Sequence, residues 1–360
     1  MKTTIYSLLA AAACGMAFGQ TTAYTTPVGY VSQTCLSLTD TLVGLPLRVA
    51  TSGAGAVSGA PDLLTTPGSA ILTIAGTPGF TVNGFAGTCF VKFTSGAASG
   101  KFYTVTSNAE STITINLNGD TLSAVAADTL VVSKFWTLGE LFVPSASTSD
   151  PATTGNAIVV TTSTLSRKTE VLLPNIAGNG INLSSAGTYF IFNGAWRKVG
   201  QPATTSFNTQ QLWPDNSFVV RQPTLAVPTT YTISGEVDTG NLVLGLRTQN
   251  ATKQDNFVGL PRPVNTTLNA LALGGTSAFV TTTSTLSRKD ELLVFNNATA
   301  GKNKAASATY FWFNSAWRKV GQPATTDFGT DVITAGNGFI IRKSNVTGGP
   351  TAFWNNTASY

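Results

Sequence analysis

The chain has 360 residues, of which only 10% are charged, and 21 Lys and Arg against 16 Asp and Glu give a formal charge of +5. It contains no histidine, which excludes a Ser-His-Asp triad, a Cys-His pair and any metal site built on imidazole. Abundant Thr, Ser, Gly and Asn with so little charge predict an exported, all-β protein of short strands and polar turns.

The first twenty residues have the form of a secretory signal peptide. Lys2 precedes an apolar run at residues 5–13, and the small-residue stretch at 17–19 forms a cleavage site. We therefore predict that residues 1–19 are removed before Gln20, with lipidation of Cys14 as the alternative. No apolar run is long enough for a transmembrane helix. The expected location is the cell surface or the outer membrane, with the periplasm as a further possibility.

The N-terminal third differs from the rest of the chain. Residues 20–54 are predicted to form a strand segment, and residues 55–133 a small β-sandwich or barrel-like domain with Gly, Asn and Asp turns. The segment DTLVGLPLRV at 40–49 is echoed by DNFVGLPRPV at 255–264. The spacing around these two segments suggests that the small domain is inserted into, or placed ahead of, the first of two repeats.

Two cysteines remain after the signal peptide, Cys35 and Cys89. An even pair in an exported chain predicts a disulfide between them. The alternative is two buried thiols that act as small apolar side chains.

Residues 134–239 and 240–360 are predicted to be two tandem β-rich repeat units with an offset of 121 residues. Segments 161–205 and 282–326 share 30 of 45 aligned residues without a gap. A constant offset over such a length indicates duplication of a folded unit.

Each unit contains the segment AWRKVGQPATT, at 195–205 and again at 316–326. Asn193-Gly194 favours a two-residue hairpin turn, which places Ile191 opposite Trp196. Identity here is explained either by packing of a duplicated frame or by an aromatic and cationic binding surface. The candidate binding residues are Tyr189, Trp196, Arg197, Lys198, Tyr310, Trp317, Arg318 and Lys319.

Several motifs together resemble an uncharacterised family of exported, paralogous β-rich proteins known from the Verrucomicrobia. They are TTPVGYV at 25–31, VGLPL at 43–47, TSGAASGKFYTVTSN at 94–108, FWTLGELF at 135–142, and EVLLPN at 170–175 followed by YFIFNGAWRKVG at 189–200. The resemblance implies export and a β fold, and it transfers no catalytic residue because the family has no established activity.

Catalytic and metal sites find little support in the sequence. Only Glu170 and Glu291 are matched across the two units, each beside an Arg-Lys pair, and such a carboxylate is typical of an ion pair. A glycosidase needs two carboxylates in one cleft. Asp-containing turns such as Asn118-Gly119-Asp120 are too sparse for a dedicated calcium site. We predict no enzyme activity, no metal and no cofactor.

Two classes of partner remain. Tandem units, low charge and abundant Thr, Ser and Asn favour a structural or interaction protein at the cell surface that self-associates. The alternative is a glycan-binding protein that uses the repeated hairpins, since residues 266–360 carry eight Lys and Arg against four Asp and Glu and suit an acidic polysaccharide or lipopolysaccharide. An outer-membrane β-barrel is a third hypothesis. Nucleic acid is not expected as a partner, because no recognised nucleic-acid-binding module is present.

Overall fold

The computed structural model describes residues 26–63, 68–149 and 158–358. Within these ranges the chain forms 25 strands and one short α-helix, and each pair of neighbouring strands is antiparallel. The prediction of an all-β protein is confirmed. In this part of the chain, no helix has the length and apolar character that crossing a membrane requires. The predicted signal peptide, residues 1–19, and Cys14 lie outside the described residues.

In chain order the elements are β1 (Val28–Cys35), β2 (Asp40–Val43), β3 (Thr51–Ala56), β4 (Asp62–Leu63), β5 (Ser69–Thr73), β6 (Cys89–Phe93), β7 (Phe102–Asn108), β8 (Thr112–Asn116), β9 (Thr129–Lys134), β10 (Trp136–Thr137), α1 (Leu138–Leu141), a 3-10 turn (Pro144–Ala146), β11 (Glu170–Pro174), β12 (Ser185–Phe192), β13 (Ala195–Lys198), β14 (Gln211–Leu212), β15 (Phe218–Arg221), β16 (Thr229–Glu236), β17 (Leu242–Leu246), β18 (Gln254–Gly259), β19 (Thr266–Thr267), β20 (Glu291–Val294), β21 (Ala308–Phe313), β22 (Ala316–Lys319), β23 (Val332–Ile333), β24 (Gly338–Lys343) and β25 (Ala352–Asn356).

Two five-stranded sheets have the same strand order. The first runs β13-β12-β11-β15-β2, and the second runs β22-β21-β20-β24-β18. Asn193 and Gly194 both have positive φ, at 48° and 68°, which gives the two-residue turn whose twist matches that of the strands. Ile191 accordingly lies opposite Trp196, in the register that this turn predicts.

Each five-stranded sheet covers its own apolar core. Shorter ladders complete the two cores: β1 with β16 and β10 with β14 in the first, β17 with β25 and β19 with β23 in the second. Helix α1 enters the first core through Leu138, which is fully buried. Thr137 caps its first turn, since its side-chain oxygen accepts from the amide of Glu140 over 3.2 Å.

Strands β3 to β9 form one seven-stranded sheet, in the order β3-β9-β6-β7-β8-β5-β4. Strand β8 alternates Thr and Ile, and its two isoleucines, Ile113 and Ile115, are fully buried, as expected of a strand with one face on a core. A bridge between Val57 and Ile74 joins the continuations of β3 and β5, so the sheet curls around a third apolar core. In the chain this sheet lies between β2 and β11, two strands of the first five-stranded sheet.

The predicted disulfide between Cys35 and Cys89 is wrong, because both residues are buried free thiols. Cys35 packs in the core of the first five-stranded sheet, whereas Cys89 packs in the core of the seven-stranded sheet. Each thiol serves as a small apolar side chain in a separate core. Burial raises the pKa of Cys35 to about 12 and also raises the pKa of Cys89, so both stay protonated at neutral pH.

We call each five-stranded sheet, together with its core and the short ladders that complete it, one half of the molecule. The two halves meet through reciprocal contacts. The amide of Gly44 donates to the carbonyl oxygen of Gly336 over 2.8 Å, and the amide of Gly259 donates to that of Asp215 over 3.0 Å. Gly44 and Gly259 touch each other: a Cβ on Gly44 would lie 2.6 Å from the Cα of Gly259. Only glycine allows this approach. A contact made once in each direction is the pattern that a two-fold axis generates.

A loop from each half also reaches the outer strand of the opposite sheet. The loop after β11 meets β18, where Asp255 donates its amide to Gly180 and accepts from the amide of Asn182 over 2.8 Å. Arg342 holds the Asp255 carboxylate with two hydrogen bonds, at 2.7 and 3.0 Å, and also donates to the side chain of Asn182 over 3.1 Å.

The loop after β20 makes the same contacts with β2. Asp40 donates its amide to Gly301 and accepts from the amide of Asn303 over 2.7 Å. Arg221 binds the Asp40 carboxylate at 2.7 and 2.8 Å and donates to the side chain of Asn303 over 2.6 Å. Each half therefore supplies a carboxylate and an arginine and receives a loop from the other.

Candidate functional site

Trp196 and Trp317, the aromatic residues of the predicted binding hairpins, lie in the two apolar cores of the five-stranded sheets. Their side chains are 0% and 1% exposed, respectively. The indole Nε1 of Trp196 donates to the carbonyl oxygen of Phe142 over 3.0 Å, which satisfies its only polar group. A sugar can stack only on an aromatic face that solvent reaches, and these two indoles present none.

Arg197 and Arg318 lie on the opposite face of the same hairpins, because neighbouring residues of a strand point to opposite sides. Both are buried. Their Nε atoms donate to the carbonyl oxygens of Phe192 and Phe313, at 3.2 and 3.3 Å. The two guanidinium groups are thus used to hold their own hairpins together.

Tyr189 and Lys198 face each other across the first hairpin, as do Tyr310 and Lys319 across the second. The ammonium groups lie 5.6 and 5.3 Å from the centroids of the two rings. The hydroxyl of Tyr310 donates to Asp331 over 2.6 Å, and burial together with this hydrogen bond raises the pKa of Tyr310. Four of the eight predicted residues thus form two tyrosine–lysine pairs, and of the eight only the half-buried lysines reach the surface.

The most exposed large apolar side chains in the described part of the chain are two leucines that the sequence analysis did not single out. Leu165 is 91% exposed and Leu286 is 94% exposed. They occupy the same position in two identical segments, TTSTLSRK at 161–168 and at 282–289, which we call the leucine loops. One exposed leucine is ordinary on a protein surface, but near-complete exposure at matched positions indicates that both halves present a leucine to solvent in the same way.

The two leucine loops have the same internal hydrogen bonds. In the first loop the Oγ of Ser163 accepts from the amide of Leu165 over 3.3 Å, and the Oγ1 of Thr161 accepts from the amide of Lys168 over 3.2 Å. The second loop repeats these bonds at 3.3 and 3.1 Å. Hydroxyl-to-amide bonds of this kind stabilise turns, so each leucine is presented on an ordered loop.

Ion pairs anchor the base of each leucine loop. Arg167 pairs with Glu170, and Arg288 pairs with Glu291 over 2.7 Å. Burial alone would raise the pKa of Glu291, but hydrogen bonds from Arg288 and Lys253 hold it below its ordinary value. The matched carboxylates are therefore structural, as the sequence indicated.

A cavity of about 540 Å³ lies between the two five-stranded sheets. We call it the axial cavity, because residues at corresponding positions of the two halves line it together. They are the pairs Leu42 and Phe257, Val219 and Ile340, and Pro174 and Phe295. These side chains point away from the two sheet cores, so the cavity has an apolar wall from each half.

A second cavity, of about 490 Å³, lies where the seven-stranded sheet meets the two halves. Asp215 lines it together with residues such as Leu244 and Leu246, and its Oδ1 is enclosed without a hydrogen-bond partner. Burial raises the pKa of Asp215 to about 6. Gly336 takes the corresponding position in the other half, beside Gln33. The positive charge of Arg48 offsets the effect of burial on Asp215 only in part.

Replacing Asp215 with asparagine should stabilise the protein at neutral pH. A folded-state pKa of about 6, against about 4 in the unfolded chain, means that the native state binds the proton more tightly. Stability then falls as the pH rises from about 4 to about 6. We expect Asp215→Asn to remove this decline and to add about 1–3 kcal/mol at pH 7. Urea unfolding at several pH values measures both effects.

The same substitution at the exposed Asp62 is the matched control, and it should change stability by less than about 0.5 kcal/mol. A pH profile that is identical in Asp215→Asn and in the unsubstituted protein would contradict the account of this carboxylate.

Within the described residues, no three Asp, Glu or Cys side chains come together as a metal ion requires. Comparisons of the chain with protein-family models, with curated protein sequences and with solved structures find no match.

Proposed function

We propose that this chain is an exported, non-enzymatic structural or interaction protein that self-associates through its two leucine loops. The observation that carries the proposal is the near-complete exposure of Leu165 and Leu286 on identical, internally hydrogen-bonded loops. Export is supported by the form of residues 1–19.

The energetics favour these loops as contact points. Burying one leucine side chain contributes about 1.5–3 kcal/mol. An ordered loop loses little conformational entropy when it binds, so more of that energy remains as affinity. Each molecule carries two such loops and can therefore contact two neighbours. If each loop binds a different surface of its neighbour, the contact is heterologous, and heterologous contacts that do not close into a ring generate extended assemblies.

The charged groups support a structural role. The carboxylates of Asp40, Asp255, Glu170 and Glu291 all bind an arginine of the same chain. The hairpin tryptophans, which the glycan-binding alternative would use, are buried. The leucine loops are the most exposed matched apolar feature of the two halves in the described part of the chain, and this exposure leaves them free to meet a partner.

Light scattering of the purified protein at increasing concentration tests the proposal. We expect the mean mass to rise with concentration, and we expect Leu165→Ser/Leu286→Ser to shift the onset to at least tenfold higher concentration, because two buried leucines are lost. Val82→Ser/Val125→Ser is the matched control, since both valines are exposed outside the loops, and it should associate like the unsubstituted protein.

Two results would reject the proposal. One is a chain that stays monomeric at every concentration. The other is association that the leucine substitutions leave unchanged.

A further inference from the structure

The axial cavity differs at its two ends. Leu183 lines it on one side, and the corresponding residue 121 positions later, Lys304, lines it on the other. Leu42 and Phe257 face the cavity from the two sheets, and the rest of the wall combines aliphatic and aromatic side chains with polar ones such as Ser185. One otherwise matched pair of positions thus places an apolar side chain at one end of the cavity and a cation at the other.

Hydrogen bonds hold the ammonium group of Lys304 in place, but none of these bonds is to a carboxylate. Its Nζ donates to the carbonyl oxygens of Asn296 and Thr299, at 2.8 and 3.0 Å. A lysine has three donors, so one remains for a ligand. Asp40, the carboxylate that also lines this end, is bound at 2.7 and 2.8 Å by Arg221. The charges of this end therefore sum to a positive value.

The size and chemistry of the cavity correspond to a small-molecule site. Ligand pockets span about 300–1,000 Å³, have mostly apolar walls and fix the ligand with a few polar groups. An apolar chain placed along the wall removes both its own apolar surface and that of the wall from water. A negative group at its end meets Lys304, and the hydrogen bond to a charged donor is stronger than one between neutral groups.

We propose that the axial cavity binds an amphipathic carboxylate, with its hydrocarbon chain along the apolar wall and its carboxylate at Lys304. The chain end points toward Leu183. Binding at this site is independent of self-association, because the leucine loops do not line the cavity.

Isothermal titration calorimetry with dodecanoate, kept below its micelle concentration, tests the proposal on the full chain. Dodecanol serves as the uncharged probe of the same length. We expect dodecanoate to bind with a stoichiometry of about one. Lys304→Leu, which introduces the type of residue found at position 183, should weaken dodecanoate at least tenfold and leave dodecanol unweakened.

Lys302→Leu is the matched control, because Lys302 is exposed and does not line the cavity, and it should leave both affinities unchanged. Val219→Trp fills the cavity from one wall and should abolish binding of both probes. If it does not fold, Lys304→Leu still decides the outcome. The proposal is overturned if dodecanoate does not bind, or if Lys304→Leu binds it as tightly as the unsubstituted chain.

Discussion

Replacing Trp196 with alanine is expected to lower the free energy of unfolding by about 3–5 kcal/mol, as for other large-to-small changes in a core. The indole is fully buried, contacts the ring of Phe142 and donates to its carbonyl oxygen. Trp317→Ala should have an effect of the same size, since that indole packs against Phe279 and Trp312. Urea denaturation followed by circular dichroism measures both changes.

Lys198→Ala is the matched control, because Lys198 lies on the same short strand and is only half-buried. It should cost less than about 1 kcal/mol. If Trp196→Ala unfolds at the same urea concentration as the unsubstituted protein, the indole is not part of the core, and the hairpin becomes a candidate binding surface again.

The second large effect is expected at a buried ion pair that is present in one half only. Lys343 binds Asp290, and their side chains are 1% and 0% exposed. The corresponding pair in the other half is neutral: the hydroxyl of Thr169 donates to Gln222 over 3.2 Å. Because a lone buried charge is costly, Asp290→Thr and Lys343→Gln should each destabilise the protein by about 3–5 kcal/mol.

The double substitution Asp290→Thr/Lys343→Gln installs the neutral pair and should be more stable than either single variant. It will not restore full stability, because Asp290 also accepts from the amide and hydroxyl of Ser344, at 2.7 and 2.9 Å. We expect a coupling energy of about 2 kcal/mol or more in the double-mutant cycle. Purely additive losses would show that the two charges do not stabilise each other.

The reciprocal interface explains why these effects should reach the whole molecule. A loop of each half binds an outer strand of the other through Asp40 and Arg221, or through Asp255 and Arg342. Neither half completes these contacts alone. Loss of one core is therefore expected to loosen the strand that holds the opposite loop, and unfolding should be cooperative across the two halves.

Local features of the chain could be predicted from the sequence. The register of the hairpin between Tyr189 and Lys198 follows from Asn193-Gly194, because a turn of two residues leaves one pairing for the strands that it joins. The all-β class follows from the alternation of apolar and polar residues, as in β8. These are properties of neighbouring residues, and they need no knowledge of distant contacts.

Properties that depend on distant parts of the chain could not be predicted. Cys35 and Cys89 are an even pair in the sequence, yet they lie in different cores. The hairpin register of Trp196 is the same whether the indole is covered or exposed. In the structure the indole is covered by Phe142, which directly follows α1. The sequence contains leucine at both 165 and 286, but their exposure depends on whether another element of the fold packs against them, which only the structure shows.

The sequence by itself determined the all-β class, the hairpin turns and the recurrence of residues 161–205 at 282–326. Only the tertiary structure decided which aromatic faces are covered, which carboxylates are bound by arginine, and that Leu183 and Lys304 line one cavity. The physical reason is the distance along the chain over which each effect acts. Turn geometry and strand alternation act over a few residues, whereas burial and ion pairing depend on segments that meet only when both halves have folded against each other.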